Sequence, residues 1–258
     1  MSRRSYCCTI VSGYWAVKGK HPNDAFKSWF ANTMSINCPY VFFGNQESID
    51  MVKAVRGNLP TKYCLLEMDD FYTQKYRNHL AAHDIHVPSG EVCMIWLEKV
   101  FLLEKAKELN YYDSEYYLWV DAGICTYRDN PPPLGELSAE KILDLPRDKM
   151  IFTSSEEPYM ADFVHENNYY HYISGTAFGC HKDYIGTFVE VYKTYLDRNI
   201  YFYNWVNTEQ KILTQMYADH PEMFFKLGEG YGSLIPLLYP SASEALRSGC
   251  LMNPYTFL

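Results

Sequence analysis

Short apolar runs alternate with helix-patterned segments along most of the chain, and this alternation limits the possible folds more than any other feature. Cys7–Val11 is a β-rich run ending in Ser-Gly, the pattern of a buried first strand. Ala25, Phe26, Trp29, Phe30 and Thr33 then recur at helical spacing between Pro22 and Met34, with Asn23 and Asp24 near the start. Tyr40–Phe43 reads as a strand closed by Gly44-Asn45. Glu47–Arg56 reads as a helix stopped by Gly57-Asn58-Leu59-Pro60, and Tyr63–Met68 as a third strand. After an irregular polar excursion, Asp69–Ser89, the strongest helix signal covers Gly90–Leu109, with Trp96, Val100, Leu103 and Lys107 spaced along it. Tyr116–Val120 (YYLWV) reads as a central strand. Beyond Pro131-Pro132-Pro133, Met150–Thr153 and Tyr172–Gly179 read as strands, and Asp183–Leu196 and Thr208–Tyr217 as helices. The tail from Gly228 has no clear period. The expected fold is an α/β, Rossmann-like open sheet, mostly parallel and flanked by helices, in one domain over residues 1–258.

Composition narrows the partners. The net charge is −8, and no basic block is longer than Arg3-Arg4, so the cationic footprint of a nucleic-acid binder is missing. A nucleotide is still compatible, provided a metal or a few basic side chains neutralise its phosphates. Eight cysteines occur without a CxxC pair, mostly inside apolar runs such as YCCTIV and KYCLLEM, and read as free thiols of a reducing compartment. Polar Ser12 and Gly13 come too early for a signal-peptide core, and no apolar run reaches the ~18–20 residues of a membrane span. A soluble, cytoplasmic protein is expected.

In an open parallel sheet, ligands bind beyond the C-terminal strand ends, where strand order reverses. That rule nominates Ser12-Gly13-Tyr14, Asp121-Ala122-Gly123 and Ser174-Gly175-Thr176. A carboxylate directly after YYLWV sits at the sheet edge. It could hold Mg²⁺ or Mn²⁺ against a diphosphate, or it could simply cap the following turn. His79, His83 and His86 lack the intervening Glu of an HExxH site and read as surface histidines.

YLWVDAGIC, YISGTAFGCHKDY, NTEQKILTQMY and HPEMFFKLGEGYG, in this order, resemble the HtrL/YibB (WlaTC) family of glycosyltransferase-like proteins; TIVSGYW and MIWLEKVFLLEKA fit the same order. The resemblance implies a GT-A type fold, a nucleotide-sugar donor expected to be a UDP-sugar, a glycan or other hydroxyl acceptor, and Mn²⁺ or Mg²⁺. Asp121 and Gly123 match the family's Asp-x-Gly, which leaves one carboxylate fewer than the usual Asp-x-Asp. Asp121 is the implied metal ligand, with Glu229 of GEGYG as the late oxygen ligand, because no histidine follows His220. Ser12, Gly13 and Tyr14 would lie against base and ribose. Lys99 would reach the diphosphate, unless it is an ordinary snorkelling lysine. Ser174, Gly175 and Thr176 would underlie donor sugar and acceptor. Glu209, followed by Gln210, is the implied catalytic residue, with complementation of the helix dipole as the alternative. Two other functions fit the same residues. One is a GT-A-fold carbohydrate- or nucleotide-binding protein without catalysis; the other is a nucleotidyltransferase, for which SGYWAVKGK would be a poor phosphate loop.

Overall fold

The computed structural model describes residues 5–17, 23–81, 89–155, 172–202 and 208–240. Its strands are β1 (Cys8–Tyr14), β2 (Tyr40–Gly44), β3 (Thr61–Leu65), β4 (Tyr116–Val120), β5 (Met150–Ser154), β6 (Ile173–His181) and β7 (Phe224–Glu229). Its α-helices are α1 (Asn23–Thr33), α2 (Gln46–Arg56), α3 (Gly90–Leu109), α4 (Ala139–Leu143), α5 (Ile185–Tyr201), α6 (Glu209–Asp219) and α7 (Leu234–Leu237). The strands form one sheet in the order β3-β2-β1-β4-β6-β5-β7. β6 runs antiparallel to both its neighbours, and the other neighbouring pairs are parallel. This is the open, mostly parallel, helix-flanked sheet expected from the alternation.

Two apolar layers cover the sheet, and neighbouring residues of one strand enter opposite layers. Val11 and Trp119 pack with α3, α5 and α6, whereas Ile10, Leu118 and Val120 pack with α1, α2, α4 and α7. Burial on both faces makes the central strands continuous apolar runs without alternation. Every residue of β1, β2, β4, β5 and β6 is buried, while the edge strands β3 and β7 are not.

Three elements were not expected. α4, β7 and α7 are short, and β7 sends only Phe224 fully into the core, so neither length nor period marks them. β1 also runs on through Ser12-Gly13-Tyr14, which pair with Phe42, Phe43 and Gly44 of β2. The excursion after β3 contains two 3-10 helices, Met68–Asp70 and Tyr72–His79. The second is anchored by Glu98 of α3, which is buried and accepts hydrogen bonds from Tyr72 N, Thr73 N and Thr73 Oγ1. Arg56, at the end of α2, is equally buried. Its guanidinium donates to the carbonyls of Met34, Ile36, Cys38 and Pro60, tying the turns on either side of β2 together.

Candidate active site

From β1 the chain builds outward through β2 and β3, then returns to place β4 on the other side of β1. The C-terminal ends of β1 and β4 therefore diverge, which leaves a crevice. Ser12 Oγ donates to Val120 O at 2.7 Å across the two strands. Tyr14 packs edge-on against Phe30 and tilted against Phe26. A Cβ on Gly13 would lie 2.8 Å from the Trp15 ring, so this glycine lets the indole fold back over the strand. Ser12, Gly13 and Tyr14, expected against base and ribose, are thus buried in the sheet. The cleft lining starts one residue later, because the strand is longer than its apolar run. Trp15, Ala16 and Val17 after β1, Asn45 after β2, and Glu67, Met68 and Asp69 after β3 surround a cavity of ≈ 200 Å³.

Asp121 follows β4. Its backbone N–H donates to Thr176 O at 2.8 Å, and its Oδ1 accepts from Trp119 Nε1 at 2.7 Å. The same oxygen lies 2.9 Å from Lys99 Nζ. Lys99, buried on α3, also lies 2.7 Å from Glu209 Oε1 and donates to Gly175 O at 3.0 Å. Its three N–H donors are therefore used within the protein. Burial pushes the Lys99 ammonium down, but the charges of Asp121 and Glu209 outweigh it and hold the proton more tightly than usual. Burial raises the Glu209 carboxyl to about 7 despite the stabilising Lys99 charge, and Asp121 adds to the rise.

Two expected site residues are withdrawn from the cleft in this arrangement. Lys99, expected at the diphosphate, is enclosed by the carboxylates of Asp121 and Glu209. Glu209 is only 2% exposed, lying behind Gly175, and does not line the cleft directly. It does sit in the first turn of α6, so a helix-dipole contribution coexists with the ion pair. The Asp121 side chain is 30% exposed, and its second oxygen has no partner among the described residues.

Other sequence motifs converge on the same place. Gly175 is required by close packing, since a Cβ there would overlap Glu209 Oε1 and approach Gln210 Cγ to 2.6 Å. Gln210 Nε2 donates to Ile173 O at 2.9 Å, and Ser174 Oγ and Thr176 Oγ1 share a 3.0 Å hydrogen bond. Gly230 and Gly232, at φ +104 and +80, make the turn after β7. Gly232 N donates to Ser174 Oγ at 3.1 Å, and Thr126 Oγ1 donates to Gly232 O at 2.8 Å. The turn carries Tyr231, a residue not singled out from the sequence. Burial, with Cys125, Asp121 and Glu209 next, pushes its phenol well above the usual range. A tyrosine between two glycines was the available signal.

The donor set at Asp121 fits a hard cation only in part. Mg²⁺ is ordinarily held by one or two carboxylates together with substrate phosphates. Asp121, with one oxygen left over, fits a cation that shares its shell with a diphosphate. A closed protein cage does not fit, because no group of three His, Cys, Asp or Glu suited to a metal occurs among the described residues. Glu229, expected as the second ligand, instead lies 2.9 Å from Lys226 with its side chain 64% exposed. Gly123 has Trp29 and Phe26 at 3.1 and 3.2 Å from an added Cβ, so a side chain there would meet rings. His79 packs edge-on against Tyr201, and His220 pairs with Glu222; His83 and His86 lie outside the described residues.

A profile of the family described as "Bacterial protein of unknown function (HtrL_YibB)" matches residues 63–233. No curated protein matches the sequence significantly. Solved structures with a similar course include the galactosyltransferase LgtC in complex with donor and acceptor sugar analogues, at 8% identity and TM-score 0.45, covering 86% of this chain and 73% of that one. An active-site mutant of LgtC gives 9% identity and TM-score 0.47, covering 86% and 72%. The apo-form glycosyltransferase GlyE of Streptococcus pneumoniae TIGR4 gives 7% and 0.42, covering 88% of this chain and 45% of that one. The family match spans more than half of the chain and takes in the motifs that meet around Asp121, and the chain belongs to the HtrL_YibB family.

Proposed function

We propose that this chain is a glycosyltransferase that moves a sugar from a nucleotide-sugar, expected to be a UDP-sugar, to a hydroxyl of a glycan acceptor. The observation that carries this reading is the outward carboxylate oxygen of Asp121 at the strand-order reversal, on the same sheet edge as the cavity beyond β1, β2 and β3. That cavity suits a nucleoside, with the Glu67 carboxylate at its lining to accept from ribose hydroxyls, while Asp69 Oδ1 accepts from Gln74 Nε2 and lies 3.4 Å from Arg77. Asp121 would hold Mn²⁺ or Mg²⁺ arriving with the donor, and the cation would supply Lewis-acid stabilisation of the leaving diphosphate. In the reaction the acceptor oxygen bonds to the anomeric carbon as the bond to the phosphate oxygen breaks. The acceptor proton passes to solvent water, and the nucleoside diphosphate leaves with the electron pair of the broken bond.

Ser174, Gly175 and Thr176 form the floor under the sugar in this reading, and Gln210 fixes that floor through Ile173 O. Glu209 and Lys99 serve as positioning residues that hold Asp121 in one orientation. The free thiols of the seven described cysteines support a reducing compartment in this reading, and no helix among the described residues is long and apolar enough to cross a membrane.

The test is nucleotide release from UDP-sugars, with and without Mn²⁺, by the native chain and by Asp121→Asn. Release and Mn²⁺-dependent UDP binding by the native chain, both lost in the folded variant, are expected. Equal Mn²⁺-dependent UDP affinity in the two proteins removes Asp121 from the metal. The single carboxylate at the Asp121-Ala122-Gly123 turn favours a second reading, a binding protein without transfer. Tight UDP-sugar binding with no release in any donor would select it.

A further inference from the structure

A bound diphosphate needs positive charge, and among the described residues the sheet edge around Asp121 has little of it uncommitted. Lys99 is committed to two carboxylates and a carbonyl, and Lys226 is paired with Glu229. Glu67 and Asp69 line the nearby cavity, and Arg77 is committed to Asp69 at 3.4 Å.

Arg128 answers this deficit. It follows the short 3-10 helix Cys125–Tyr127, in the segment that leaves Asp121. Its Nε donates to Gly123 O at 3.2 Å, and its guanidinium carbon stacks 3.9 Å from the Trp29 ring centre. Its backbone is pinned too, with N donating to Cys125 O and O accepting from Asn32 Nδ2. The two terminal nitrogens have no partner among the described residues. Arg128 stands seven residues after Asp121, and the carbonyl that its Nε holds belongs to Gly123 of the same Asp121-Ala122-Gly123 turn.

A guanidinium held over a ring and by its own Nε loses little freedom on binding. The remaining edge presents the planar fork that matches two phosphate oxygens. We propose that Arg128 is the phosphate-binding cation of this cleft, taking oxygens of the donor's diphosphate in bidentate fashion beside Asp121. The proposal rests on the nucleotide-sugar reading for the identity of the ligand, but the fork itself is defined for any pyrophosphate.

The experiment is calorimetric titration of inorganic pyrophosphate, UDP and uridine into the full chain, Arg128→Met and Arg128→Lys, in one Mg²⁺ buffer. The native chain is expected to bind pyrophosphate and UDP. Arg128→Met should weaken both roughly ten- to a hundredfold, as expected for charge-assisted hydrogen bonds, and leave uridine unchanged. Native affinity for both anions in Arg128→Met overturns the proposal while leaving the nucleotide-sugar reading intact. Pyrophosphate binding that depends on Arg128, without UDP binding, keeps the fork and ends the nucleotide reading. Absence of both in the native chain overturns both. Should Arg128→Met fail to fold, Arg128→Lys decides. Native pyrophosphate affinity there overturns the fork, and a drop of about tenfold supports it.

Discussion

Lys99 Nζ lies 2.7 Å from Glu209 Oε1, and both side chains are almost wholly withdrawn from solvent, at 4% and 2% exposure. The pair sits behind the cleft, and Asp121 is the member of the cluster that reaches out of it. Buried pairs stabilise little in net terms, yet removing one partner strands the other. Lys99→Met should therefore destabilise the protein by about 3–5 kcal/mol, read from urea unfolding. Changing Glu209 to Gln as well should restore part of that loss, since one stranded carboxylate is gone. A single variant as stable as the native chain would show that the ammonium is dispensable.

Gly175 should tolerate no side chain. A Cβ there would overlap Glu209 Oε1 and press Gln210 Cγ at 2.6 Å. Gly175→Ala is expected to cost about 1–3 kcal/mol, the range for overpacking a dense core. Glu209→Ala in the same chain should relieve part of the strain. Additive losses in the double variant would deny the contact.

Glu98 should make stability depend on pH. Burial raises its carboxyl to about 7 even though the Thr73 and Tyr72 N–H groups and the Thr73 hydroxyl favour its charged form. Between the ordinary glutamate value and about 7, the folded chain keeps a proton that the unfolded chain has released. This contribution is full at acidic pH and is lost as pH rises through that window, by up to ~1.4 kcal/mol per pH unit. Comparing the denaturation midpoint of the native chain with Glu98→Gln from pH 5 to 8 isolates it. Parallel curves would remove Glu98 as the source.

All eight cysteines should titrate as free thiols in freshly purified, denatured protein. The seven described ones are free, although Cys8 and Cys38 bring their sulfurs to 3.5 Å. Fewer than eight reactive thiols without added oxidant would contradict a reducing compartment, and that short approach marks the first pair to map.

The sequence by itself determined the elements whose signal is local. α3 occupies Gly90–Leu109 and β4 Tyr116–Val120, the expected bounds, because periodicity and β-branched or aromatic runs act over a few residues. Asp121 was legible for the same reason, since a carboxylate after a buried strand must stand at the sheet edge. Tertiary structure alone decided who partners whom. Lys99 and Glu209 are 110 positions apart, and nothing in WLEKV or NTEQK says that one neutralises the other. The reversal of β6, the edge strand β7 and the retreat of Ser12, Gly13 and Tyr14 into the sheet also depend on neighbours distant in the chain. Local spacing sets which face a side chain takes. Which charge meets it there depends on packing, where each buried ion must find a counter-charge or give up its own.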